Sequence, residues 1–173
     1  MDTVKKYELC EEYIRYGARV TTAKLVSAIT NTRAVMMYRS IHGTGSETGR
    51  DPQRWANYLS KPHVYGPMQK FLLCYWKVAG EAILDDLDNE LVLQAYKMYA
   101  GIYLGDEQKI GLTVAWSAAR AIAQKEPGAD VKFCPDCGRV YMHGKRVLTV
   151  CPLCLKAKEA VKNAKNGLSS GSL

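Results

Sequence analysis

The stretch CPDCGRVYMHGKRVLTVCPLC, residues 134–154, decides how the C-terminal part of this chain folds. It holds two C-x-x-C pairs, with residues 138 to 150 between them. Each pair can grip a metal from one tight turn, and the gap is long enough for a short hairpin. Together Cys134, Cys137, Cys151 and Cys154 supply the four thiolates of a tetrahedral zinc shell. A shell filled by protein leaves no position for water, so the expected site is structural rather than catalytic. Pro135 and Pro152 follow the leading cysteine of each pair and suit a rigid turn. Gly138 stands where such a turn needs a positive φ. His143 lies in the gap, but a complete cysteine quartet leaves it no vacancy.

The other two cysteines, Cys10 and Cys74, lie far from the quartet in helical, apolar patterns and read as small core residues. A pair of disulfides, or a set of free thiols, is the competing use of the quartet. The start, MDTVKKYELCEEY, is charged throughout and unlike a secretion signal. That predicts a cytoplasmic protein, where thiols stay reduced.

The chain has 173 residues, 47% of them hydrophobic, enough for one core and a small appendage. No run approaches the ~18 apolar residues of a membrane helix. Three histidines, and no visible nucleophile motif, open metal site or phosphate loop, argue against an enzyme. The formal net charge is +7, and +6 of it falls between Lys132 and Lys165. A basic cluster on a small rigid module points to phosphate, through Arg139, Lys145 and Arg146 in particular. The acidic stretch Glu81, Asp85, Asp86, Asp88 and Glu90 reads as solvated surface.

The rest of the chain reads as mostly α. The expected organisation is a helical domain over 1–128, a zinc-binding module over 129–166 and a disordered Gly/Ser tail over 167–173. Leu9, Tyr13, Tyr16 and Val20 recur at helical spacing, and Gly17 with Thr21 and Thr22 marks a corner. A second helix carries Leu25, Val26 and Ile29 inward. Thr30 or Asn31 caps a third, with Val35, Met36 and Ile41 toward the core and Gly43 as its stop. Two short helices joined by a tight turn, about 21–43, resemble a helix-turn-helix. Thr32, Arg33, Met37, Ser40 and Tyr38 or Arg39 are then the candidate base readers. Residues 43–65 form an irregular basic loop with Arg50, Arg54 and Lys61, in which Trp55 and Tyr58 either stack on a partner or, the commoner role, pin the loop to the core.

Three further helical segments follow. The first begins near Gly66 and carries Phe71, Leu72, Tyr75, Val78 and Ala79. Asp88 caps the second, whose apolar face uses Leu91, Ala95, Met98 and Ile102. Tyr96, Tyr99 and Tyr103 form a second stripe, either packed with hydroxyls at the rim or open to a protein partner. With the exposed parts of residues 1–20, that stripe is the expected assembly surface. The third segment carries Val114, Ala118, Ala121 and Ile122.

In this order the parts resemble the FlhC family, a subunit of the bacterial flagellar master transcriptional activator. The matching segments are YGAR (16–19), MMYRSIHG (36–43), AYKMY (95–99), LTVAWSAAR (112–120) and the terminal quartet, within about residues 12–158. The resemblance implies a mostly helical fold with a zinc module ligated by Cys134, Cys137, Cys151 and Cys154. It also implies a hetero-oligomer with a small helical FlhD-like subunit. That complex would bind double-stranded promoter DNA at imperfect inverted repeats and recruit RNA polymerase. The loop TGSETGRDPQRWANYLSKPH (44–63) departs from the family's Pro-rich pattern. Similar activators serve conjugative-transfer genes, so the resemblance supports the type of regulator more than its targets. The alternative is a zinc-stabilised protein adaptor without direct DNA readout.

Overall fold

The computed structural model describes residues 2–47, 49, 55–102, 109–143 and 149–169. Arg50, Arg54, Tyr103, Lys145 and Arg146 lie outside the described residues. The described chain is mostly α, as the sequence predicts. Helix α1 (Thr3–Arg15) turns at Gly17 into α2 (Val20–Ser27), which is followed by α3 (Asn31–His42). Then come α4 (Trp55–Tyr58), α5 (Pro62–Ala79), a 3-10 turn (Gly80–Leu84), α6 (Asn89–Ile102) and α7 (Leu112–Ala123). A two-stranded antiparallel hairpin, β1 (Val131–Phe133) with β2 (Val140–Met142), leads into α8 (Pro152–Ser169).

Several boundaries follow from local chemistry. The Oδ1 of Asp88 accepts from the N–H groups of Glu90 at 2.8 Å and Leu91 at 3.1 Å, capping α6 as expected. Gly43 ends α3 in the left-handed region at φ 70°. Thr30 sits at the N-cap of α3, but its side chain makes no capping bond. Helix α2 starts at Val20, ahead of the threonine pair read as a corner, and it ends at Ala28 with φ 54°. Helix α5 starts at Pro62, four residues before the expected Gly66, because proline is preorganised for the first helical position.

One core joins α1–α3 to α5–α7. Helix α7 lies deep inside it, with nine of its twelve residues buried. Its alanines let neighbouring backbones approach closely. Its Thr113 hydroxyl accepts from the Arg19 N–H at 2.8 Å and pins the start of α2. Asn89 ties three helices to the start of α6. Its Oδ1 accepts from the Trp116 indole at 2.8 Å, and its carbonyl accepts from Tyr13 Oη at 2.8 Å. Its amide donates to the carbonyl of Val26 at 3.3 Å. Trp55 is buried against Tyr58, so the loop is pinned to the core as expected.

Three expectations about faces fail. Leu25 and Met36 point outward, 58% and 66% exposed. The inner strip of α2 is built instead from Thr22, Ala23, Val26 and Ser27, small residues that let helices pack close. The inner strip of α6 is Val92, Leu93, Ala95, Tyr96 and Tyr99, while Met98 and Ile102 face out. Tyr96 and Tyr99 are therefore core residues and not an open assembly surface. Their hydroxyls are satisfied inside: Tyr96 donates to the carbonyl of Ile110 at 3.0 Å, and the Ile110 N–H donates to Tyr99 at 2.9 Å. Burial pushes the Tyr96 phenol up to about 12, so it stays a donor at any ordinary pH.

Candidate metal centre and basic helix face

The hairpin and α8 bring the quartet together. Cys134 and Cys137 lie on the turn between β1 and β2, where the Gly138 N–H donates to the Cys134 carbonyl at 2.8 Å. The Cys134 N–H in turn donates to the Arg139 carbonyl at 2.9 Å, closing the knuckle. Cys151 immediately precedes α8 and Cys154 stands in its first turn. The four sulphurs all lie within 4.8 Å of one another, with Cys137 and Cys151 at 3.6 Å. That separation is far longer than a disulfide bond. Only β2 lies in the gap: its partner β1 precedes the first pair, so the hairpin folds around Cys134 and Cys137 rather than between the two pairs.

Backbone N–H groups aim at the sulphurs. Cys151 N–H donates to Cys134 Sγ at 3.2 Å, and Cys154 N–H donates to Cys151 Sγ at 3.5 Å. Burial raises the Cys134 thiol, but donors from Cys151, Cys137 and Asp136 outweigh it and bring the thiol down to about 6. Its thiol contact with Cys137, followed by burial, pushes Cys154 up to about 12. Burial raises Cys151 as well. Four sulphurs this close cannot all carry charge unless a cation lies among them. Four soft donors converging at one point fit a thiophilic metal ion. Cys10 and Cys74 are buried in the main core, where burial raises both thiols, and neither approaches the quartet.

The module is fastened to the body by a clamp that no local pattern announces. Gln69 on α5 receives the Met142 N–H at 3.0 Å and donates to the Met142 carbonyl at 3.3 Å. Tyr65 donates to the same carbonyl at 3.1 Å. Val140 and Met142 are buried in the main core. Gln69→Ala should leave the Met142 N–H buried without a partner, at a cost of about 1–3 kcal/mol. The expected result is a lower melting temperature at unchanged metal content; an unchanged melting curve would show the clamp to be idle.

The basic residues sort into two places. Arg139 is exposed on the knuckle, and with Lys70 and Lys156 it borders a cleft of about 130 Å³ beside the quartet. Lys158 on α8 pairs with Asp136 at 2.7 Å, an exposed pair of small energetic weight. The second place is α3, which packs against α1 and α2. Thr32, Arg33, Arg39 and Ser40 are all exposed there, as a reading face requires. Arg33 is held at one edge by Tyr7, whose hydroxyl takes a bond from Nη1 and whose ring lies 5.5 Å from the guanidinium carbon. Met37 and Tyr38, named as readers from the sequence, instead pack partly against the core. The outward methionine is Met36, contrary to the core position expected from the sequence.

Among the described residues, no helix is long and apolar enough to cross a membrane. A family model described as flagellar transcriptional activator (FlhC) matches residues 1–167. The flagellar transcriptional regulator FlhC of Cupriavidus metallidurans is 24% identical over 174 residues, covering 96% of this chain and 78% of the relative. Transcriptional regulation is not an enzyme class, in keeping with the sequence reading. With the helical body, the closed cysteine quartet and a family match over nearly its whole length, the chain belongs to the FlhC family of flagellar transcriptional activators.

Proposed function

We propose that this chain is a sequence-specific DNA-binding activator subunit whose quartet holds one structural zinc ion. The observation that carries the reading is α3: an exposed helix face of Thr32, Arg33, Arg39 and Ser40 on a helix without a single acidic residue. A face of that charge suits a polyanion, and its hydroxyl and guanidinium groups suit base edges. Arg139 faces phosphate from the zinc knuckle. Arg50, Arg54, Lys145 and Arg146, which lie outside the described residues, are further candidate phosphate contacts by their charge. The chain works with a small helical FlhD-like subunit on imperfect inverted repeats in double-stranded promoter DNA and engages RNA polymerase. Family membership supports flagellar targets. The departure of residues 44–63 from the family pattern keeps conjugative-transfer genes as the second target set.

Sequencing the DNA bound to the chain in its native cell distinguishes the two gene sets and supplies a probe. On that probe, Arg139→Ala should weaken binding to every sequence alike and reduce the salt slope by about one unit. Arg33→Ala should relax preference at a particular base pair, with a loss of about 1–3 kcal/mol of discrimination. Binding that ignores salt and survives both substitutions would instead favour the protein adaptor, which needs no phosphate contacts.

A further inference from the structure

The centre of the α3 face is neither hydroxyl nor cation. Met36 is 66% exposed, the most exposed large apolar side chain among the described residues. Thr32 stands one turn before it and Ser40 one turn after, so the three share one strip. Arg33 and Arg39 stand three residues to either side and flank that strip. On the opposite side of the helix Ala34 is buried, and Val35, Met37, Tyr38 and Ile41 pack against the core. Met36 is therefore the middle of the outward face, with cations at both edges.

A single exposed methionine is ordinary and carries no message by itself. Its surroundings do. A protein partner would need a continuous apolar patch around Met36, and its neighbours on the helix are Thr32, Arg33, Arg39 and Ser40. The DNA major groove presents hydrogen-bonding groups that match those neighbours and one apolar feature, the C5-methyl of thymine. An unbranched thioether can adjust its three torsions to reach such a methyl once the flanking cations have docked. Tyr7 holds Arg33, which fixes one edge of the face before contact.

We infer that Met36 is a specificity-determining residue that reads a thymine methyl in the major groove. This rests on the proposal that α3 reads DNA. The test uses the whole chain purified from its native cell with whatever it holds. A preferred duplex is selected from a randomised pool, and each thymine in it is then replaced singly by deoxyuridine, which lacks only the methyl. The wild-type chain should lose affinity about 3–5-fold at one position, the value of one buried methyl. Met36→Ala should bind the thymine and deoxyuridine duplexes equally at that position, and Met36→Leu should keep part of the difference.

A wild-type chain indifferent to every replacement overturns the inference while leaving DNA reading intact. So does a Met36→Ala chain that keeps the wild-type loss. Release of a co-purifying protein by Met36→Ala, with DNA preference unchanged, reassigns the face to a protein contact. Failure to select any preferred duplex with folded, metal-loaded chain removes the DNA reading itself, and the inference with it.

Discussion

Replacing Cys134 by Ser will strip the metal from the chain and loosen the segment from the knuckle to the start of α8, while the helical body persists. The reason is the size of the second core. Its buried members are Cys134, Tyr141, Val150 and Cys151, so half of them are ligands. Cys154 and Leu155 pack on it only partly. So few apolar groups cannot offset the entropy of ordering the loop, and small modules of this kind draw their stability from the metal. Structural zinc in such settings supplies apparent binding free energies of order 10–16 kcal/mol at neutral pH. The loss stays local because Val140 and Met142 belong to the other core, and Gln69 holds β2 from the α5 side. Elemental analysis should give about one zinc per wild-type chain and much less in the variant. Hydrogen exchange should accelerate around residues 134–155 with little change in total helicity. Acidification should act in the same direction. Sulphur binds metal as thiolate, so protons compete increasingly as pH falls. A Cys134→Ser chain that keeps a full metal complement, or a metal-free chain with wild-type protection of the knuckle, would falsify the structural role.

The quartet was legible because its signal is local: two short spacings and a gap fix four ligands without knowledge of the rest of the fold. The same holds for the Asp88 cap and for Gly43, where one side chain or one φ angle decides the boundary. Faces were harder. Met36 and Met37 are adjacent and equally apolar, so periodicity along α3 cannot say which one turns inward. The choice is made by where α1 and α2 pack. Tyrosine posed the same difficulty on α6. A stripe of tyrosines reads equally as an interface or a core, and both backbone groups of Ile110 settle it for Tyr96 and Tyr99. Hidden altogether were Asn89 and Gln69. Gln69 reaches Met142, 73 residues away, and Asn89 reaches Tyr13, Val26 and Trp116, 76, 63 and 27 residues away in sequence. Polar groups that join distant backbone leave no spacing to recognise, although they fix how the metal module and the N-terminal helices sit on the body.

Gly128→Ala should be the most damaging glycine-to-alanine change among the described residues. Gly128 joins the end of α7 to the hairpin and has a φ of +84°, which an alanine adopts only under strain. A methyl there would also lie 2.6 Å from the backbone nitrogen of Ala56 and 2.9 Å from its Cβ. Those atoms cannot swing aside as the tip of a side chain could. Ala56 belongs to α4, next to Trp55, which is only 1% exposed. Relief of the clash therefore means moving a helix anchored by a buried indole. Left-handed strain costs of order 1–3 kcal/mol and forced overpacking a similar amount, so the expected loss is about 2–5 kcal/mol. In a chain of this size that is a fall in melting temperature of roughly 4–20 °C. Gly43 is the internal control. Its φ is +70°, yet nothing lies within 4 Å of the position its Cβ would take. Gly43→Ala should therefore show the backbone term alone, about 1 kcal/mol. Chemical denaturation of the two variants side by side isolates the steric contribution. Equal losses would mean that α4 yields freely and that Trp55 does not anchor it.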